Sequence, residues 1–331
     1  MNKMTDFLQM KLIHNIGDAD VKKQSLREGF GQGLLEAAKK DDSIVGLSAD
    51  LSESVKMNYF AEEFPDRYVE VGVAEQNLVT VASGMAAVDK KPFAASYAVF
   101  NPGRNWEQIR TTICINNQPV CIVGSHAGLN VGPDGATHQV LEDIALMRSL
   151  PNMVVVAPGD AVEAKKATMA LAKLSKPSYI RLARADTAVF TTQETPFELG
   201  KAHVVWGGHS ITMLGTGTMT YSCLVAAKRL QEHDISVEVL HVPTIKPLDK
   251  EAILQSVRKT NLAVTVEEGQ IAAGFGSAVC ELLASEHPAR VVRIGVNDQY
   301  GQSGSANELL EHYGLTSQNI VDTVKKMLNR S

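Results

Sequence analysis

Short apolar runs alternate with helical patterns along most of this chain, and that alternation limits the possible folds more than any other feature. A strand that is apolar at consecutive positions needs cover on both faces, and a helix between two such strands lets them run parallel. In the first half the runs fall at 43–47, 68–71, 92–95, 119–124, 153–157 and 178–182, with helical patterns at 55–64, 76–88, 105–116, 141–149 and 160–174. A polar, threonine-rich stretch, ADTAVFTTQETPFELG, then breaks the rhythm. It resumes with strand-like runs at 211–214, 236–241, 262–267 and 290–296, separated by helical patterns at 221–233, 250–259 and 276–286 and followed by one at 319–328. The sequence therefore predicts an α/β protein of two doubly wound domains. The larger covers 23–190 around a parallel sheet, the smaller covers 205–331, and 1–22 and 191–204 form an N-terminal extension and a linker.

Composition removes several classes of function. With 331 residues, 44% hydrophobic and 21% charged, the chain can bury a sizeable core. A net charge of −5 supplies no basic field for nucleic acid or an anionic membrane. The first twenty residues lack a continuous apolar core with a small-residue cleavage site, and no apolar run approaches the roughly 18 residues that span a bilayer. A cytoplasmic location is expected. Cys114, Cys121, Cys223 and Cys280 form no C-x-x-C pair, which argues for buried thiols over disulfides or zinc.

Ligands in open α/β sheets sit beyond the carboxyl ends of the strands, so the loops there carry the chemistry. Glu75 lies in GVAEQN, where the run at 68–71 gives way to a helical pattern. A carboxylate in a first helical turn is favoured by the helix dipole by ~0.3–1 kcal/mol, which alone would explain it. The other loops add to the case. The run at 119–124 is followed by SHAGLNVGPDGATHQ, which sets His126, Asp134 and His138 among glycines and few bulky residues. Such a loop lets backbone approach a ligand while imidazoles and a carboxylate offer proton transfer and hydrogen bonds to hydroxyls. No metal-binding spacing of His or Cys is present. SADLSES follows the first run, and SYAVFNPGR, after the run at 92–95, supplies Tyr97, Phe100 and Arg104. The glycines of GFGQG at 29–33 and GQIAAGFGSAV at 269–279 lack the context of a nucleotide loop and are expected to serve packing.

GVAEQN at 72–77, GPDGATHQ at 132–139, SADLSES at 48–54 and the terminal VNDQYGQSGSANELLEHYGL together resemble the C-terminal half of transketolase, a thiamine diphosphate enzyme. The resemblance runs from about Lys23 to the end and implies a pyrimidine-binding domain followed by a transketolase C-terminal domain. It lacks the GDG-type motif that binds diphosphate through a metal. GDAD at 17–20 fails at its third position. The chain is therefore similar to the small subunit of a split transketolase, whose large subunit would hold Mg2+ or Ca2+ and share the cofactor, in an expected complex of two of each chain.

The resemblance also implies roles. The glutamate at the position of Glu75 holds N1′ of the aminopyrimidine and promotes the tautomer that removes the thiazolium C2 proton. Phe100 stacks on that ring, with Tyr97 close by, and Asp50 falls at the cofactor–substrate boundary. Residues at the positions of His138 and Asp134 contact the C1 and C2 oxygens of a ketose, and those of His126, Arg27, Ser54 and Arg184 hold the sugar phosphate. The spacing from Phe100 to Arg104 is one residue longer than in the family, so Arg104 receives no role. The expected reaction is transfer of a two-carbon ketol unit from a ketose phosphate to an aldose. Pentose phosphates, branched sugars and sulfonated sugars all remain open as donors. The β subunit of the first component of a 2-oxo acid dehydrogenase shares the architecture but has no sugar-phosphate pocket, so Arg27, Asp134 and Arg184 weigh against it. Deoxyxylulose phosphate synthase is a single-chain relative. A non-catalytic regulatory subunit is disfavoured by the retention of Glu75, His126 and His138.

Overall fold

The computed structural model describes residues 10–329. Its first half runs through β1 (Lys23–Ser25), α1 (Leu26–Ala38), β2 (Ile44–Ser48), α2 (Asn58–Glu63), β3 (Tyr68–Glu70), α3 (Glu75–Ala86) and β4 (Lys91–Tyr97). A short α4 (Trp106–Gln108) leads to β5 (Cys121–Ser125), α5 (Asp143–Arg148), β6 (Val154–Val156), α6 (Ala161–Leu171), β7 (Ser178–Arg181) and β8 (Asp186–Ala188). Every residue of β2, β5, β6 and β7 is buried, as two-sided helix cover requires. β3, β2, β4, β5, β7 and β6 lie side by side in that order, all parallel. Their carboxyl ends open along one edge.

The second half contains β9 (His203–Trp206), β10 (Ile211–Gly215), α7 (Met219–Gln231), β11 (Val237–His241), β12 (Thr244–Lys246), α8 (Lys250–Thr260) and β13 (Leu262–Gln270). It closes with α9 (Phe275–Glu286), β14 (Arg290–Val296), α10 (Ala306–His312) and α11 (Ser317–Leu328). Among the described residues its sheet has the order β14-β13-β10-β11-β9, parallel except for the antiparallel edge strand β9. β12 leaves this sheet and pairs antiparallel with β6, so the second half supplies the seventh strand of the first sheet.

Two local features differ from the sequence expectation or sharpen it. The helix expected at 105–116 is a single α-turn continuing into a π-helical stretch, Ile109–Cys114. There Thr111 and Thr112 donate from Oγ1 to the carbonyls four residues back, at 2.8 and 2.7 Å, competing with the regular ladder and widening the turn. The glycines of GFGQG let α1 lie against α6: a Cβ on Gly29 would sit 1.9 Å from the Ala161 carbonyl oxygen, and one on Gly33 would sit 2.7 Å from that of Lys165. From 10 to 21 the chain packs on the second domain, with Leu12 and Ile16 buried in the same cluster as Met219 and Leu224. Residues 1–9 of the expected N-terminal extension lie outside the described residues. No described helix is long and apolar enough to cross a membrane.

Candidate active site

Glu75 opens α3 at the carboxyl edge of the sheet. The turn before it is fixed by Glu70, whose Oε1 accepts hydrogen bonds from the backbone of Asp50 at 2.7 Å and of Gly72 at 2.9 Å. Gly72 has φ +71, in the left-handed region glycine tolerates. The Glu75 side chain is buried, and its Oε2 accepts from Arg104 Nη1 at 2.6 Å. Its backbone carbonyl accepts from Asn105 Nδ2 at 2.8 Å, and the same amide reaches Asn101 Oδ1 at 3.1 Å. Asn101 in turn donates to the carbonyls of Ala94 in β4 and Val123 in β5. This ladder of amides ties the Glu75 backbone to the sheet centre. A cleft of about 450 Å³, lined by Val73, Gln76, Asn77, Thr80 and Arg104, opens over Glu75.

Beside it stands a group of rings. Tyr97, the last residue of β4, stacks on His126 with centroids 3.8 Å apart and an interplanar angle of 25°. Phe100 lies 6.3 Å from Tyr97, and His138 meets Phe100 edge-on at 5.6 Å. His126 holds φ +56 at the end of β5, and Ser125 Oγ lies 2.8 Å from its Nδ1. Burial, helped by the nearby cations Arg27 and Arg184, lowers the His126 pKa to about 3. The imidazole is therefore neutral at ordinary pH. When the Ser125 hydroxyl donates to Nδ1, Nε2 carries the hydrogen and can donate to a ligand.

Arg27 and Arg184 arrive from opposite ends of the domain. Arg27 donates from Nη1 to the Ser54 carbonyl at 2.7 Å, from Nη2 to the Arg184 carbonyl at 2.8 Å and from Nε to Ser25 Oγ at 3.0 Å. Arg184 donates to the Val131 carbonyl and lies 3.5 Å from Asp134 Oδ1. Burial and the charge of Arg184 lower the Arg27 pKa from its usual value.

The structure thus joins Glu75 to Phe100 through Arg104, whose guanidinium sits 4.5 Å from the Phe100 ring centre. Phe100, Tyr97, His126 and His138 form one ring cluster, and Arg27, Ser54, Arg184 and Asp134 form one hydrogen-bonded group. Asp50 is exposed with φ +58, and no hydrogen bond or ring contact joins it to either set among the described residues. Sequence reasoning missed Asn101, Asn105, Asn130 and Glu268, and left Arg104 unassigned. Asn105 and Asn101 pair four residues apart, but Arg104 meets Glu75 across 29 positions and Asn130 meets Glu268 across 138. No three described His, Cys, Asp or Glu side chains converge as metal ligands.

Comparison with known proteins identifies the family. The family model for the transketolase pyrimidine-binding domain matches residues 22–188, and that for the transketolase C-terminal domain matches 200–320. The chain is 41% identical over 310 residues to a protein of Methanocaldococcus jannaschii named as a transketolase C-terminal section, covering 93% of this chain and 97% of that one. It is 37% identical over 305 residues to a 6-deoxy-6-sulfo-D-fructose transketolase subunit of a Clostridium species, covering 92% and 95%. A split-gene transketolase solved as an inactive β4 tetramer superposes with a TM-score of 0.86 at 42% identity, over 92% of this chain and 98% of that one. The chain belongs to the transketolase family and carries its pyrimidine-binding and C-terminal domains.

Proposed function

We propose that this chain is the small subunit of a two-chain, thiamine diphosphate-dependent transketolase that moves a two-carbon ketol unit from a ketose phosphate to an aldose. The observation that carries this reading is Glu75. Its side chain is buried at the floor of an open cleft, with Oε2 paired to Arg104. A carboxylate at the floor of a cleft is placed to accept the ring N–H of an aminopyrimidine entering from that side. Phe100, next to Arg104, offers that ring a flat apolar face. These residues fit the cofactor.

When bound, the cofactor supplies the carbon nucleophile that amino-acid side chains lack. The chain's own residues bind and orient. Glu75 accepts the ring N–H, Phe100 and Tyr97 flank the ring, and Asp50 takes the cofactor–substrate boundary. His138 and Asp134 take the ketose hydroxyls, while Arg27, Ser54, His126 and Arg184 enclose the distal anion. His126, neutral, serves as a donor and leaves the charge on the anion to the arginines. A larger chain would supply the diphosphate and Mg2+ or Ca2+ site, in a cytoplasmic complex of two of each chain. The inactivity of the related β4 tetramer favours this division.

Mixing tests it. Purified alone with thiamine diphosphate and Mg2+, the chain should transfer no ketol unit from a phosphorylated ketose, and adding the diphosphate-binding chain should produce transfer. Transfer by the isolated chain would contradict the proposal.

A further inference from the structure

Glu268 belongs to β13 of the second domain, yet its carboxylate grips a loop of the first. Oε1 accepts from the backbone N–H of Asn130 at 2.8 Å, and Asn130 Nδ2 donates to Oε1 and Oε2 at 3.0 and 3.1 Å. Thr218 Oγ1, also of the second domain, lies 3.4 Å from Oε2. All these neighbours donate. Burial raises the Glu268 pKa above the usual carboxylate value, and Arg181, which donates to the Glu268 carbonyl at 2.7 Å, opposes that shift together with the Asn130 hydrogen bonds. The approach is close enough to need a glycine: Gly128 has φ +92, and a Cβ there would sit 2.4 Å from Glu268 Oε1.

The grip continues past Asn130. Its Nδ2 also donates to the Ala127 carbonyl at 3.0 Å, next to His126. Its Oδ1 accepts from the backbone N–H of Arg184 at 2.6 Å and of Ala185 at 3.1 Å. The Arg184 carbonyl is held from the other side by Arg27. The backbone of Arg184 is thus clamped at both polar atoms, one of them through a residue of the other domain.

We propose that Glu268 is a positioning residue for the anion pocket, setting through Asn130 the relative placement of His126 and Arg184. The proposal rests on the reading of Arg27, His126 and Arg184 as that pocket. It gives the second domain a part in substrate binding through a loop of the first.

The test uses the full chain labelled with 15N in histidine, with inorganic phosphate as the probe and the His126 ring signals as the readout. Arg184→Ala, which removes a direct contact, should weaken phosphate about ten- to a hundredfold, as expected for one charged hydrogen bond. Asn130→Ala and Glu268→Ala should each weaken it about tenfold, and the double variant no further, because both act along one path. Glu268→Gln should stay within about threefold of wild type, since its carbonyl can take both Asn130 donors and its amide can face the Thr218 hydroxyl. Should Glu268→Ala fail to fold, Asn130→Ala carries the comparison. Wild-type affinity in Asn130→Ala and Glu268→Ala, even with a lowered Tm, would overturn the inference while a weakened Arg184→Ala kept the pocket. No phosphate response in wild type would remove the pocket and the inference together.

Discussion

Arg104 and Glu75 form an ion pair of 2.6 Å whose cationic half also lies 4.5 Å from the centre of the Phe100 ring. The guanidinium therefore takes up the two features a bound pyrimidine would use, the carboxylate and the aromatic face. Arg104 is about half exposed, with side-chain accessibility of 48%, and Glu75 is buried at 2%. A planar cation stands where a planar ring would sit.

A competitor of this kind lowers apparent affinity by the fraction of molecules it occupies. Its half-exposed arginine limits the pair to the ~0–1 kcal/mol range of solvent-screened ion pairs. Arg104→Met in the reconstituted complex is expected to tighten thiamine diphosphate by about two- to fivefold, read by titration of activity or fluorescence. Weaker binding in this variant would show that Arg104 holds the cofactor and does not compete with it.

Arg27, proposed to face an anion, also has a structural part. Two of its nitrogens hold the carbonyls of Ser54 and Arg184, so it braces the proposed pocket. Lysine cannot span two carbonyls with a fixed fork. Arg27→Lys is therefore expected to keep the charge yet lose kcat/KM for a phosphorylated donor about as severely as Arg184→Ala, by ~ten- to a hundredfold. An unphosphorylated ketose should be affected little by Arg184→Ala. Equal losses for both donors would withdraw the anion assignment.

His126 links the pocket to pH. Its pKa falls to about 3 in the folded chain from a usual 6.5, so the unfolded state binds the proton first. Stability is complete above pH 6.5 and declines as pH falls toward 3, by up to about 1.4 kcal/mol per pH unit. Thermal unfolding of wild type and His126→Gln between pH 8 and pH 5 should diverge below about 6.5, with the wild type losing more. Parallel profiles would mean that His126 can be protonated in place.

Gly29 tests the packing of the sheet's helical cover. Alanine in a helix is ordinarily better than glycine by about 1 kcal/mol, but here the new methyl would meet the Ala161 carbonyl oxygen at 1.9 Å. Gly29→Ala should destabilise by ~1–3 kcal/mol or more through overpacking, visible as a lower Tm. An unchanged Tm would contradict the close α1–α6 approach.

How much of this was legible in the sequence depended on how local each signal is. β2 and β5 are buried on both faces, so they appear as unbroken apolar runs, IVGLS and CIVGS. β9 and β12 are short, antiparallel edge strands whose partners decide their conformation, and they left no readable pattern. β12 also crosses to the first sheet, which no local rule reveals. At the site, Glu75, His126 and His138 stand in compact motifs. Asn130 and Glu268 meet across 138 positions, and their pairing exists only once both domains are folded. Arg104 lay close in sequence to Phe100, but its partner Glu75 lies 29 positions away, before β4.

The central claim is that Glu75 serves the cofactor's proton chemistry, and deuterium exchange at C2 of thiamine diphosphate reads that step without any sugar. In the complex of this chain with its diphosphate-binding partner, wild type should exchange rapidly. Glu75→Gln, still folded and assembled because its neighbours Asn105 and Asn101 hold the backbone, should exchange slower by orders of magnitude. An exchange rate in Glu75→Gln equal to that of wild type would contradict the account.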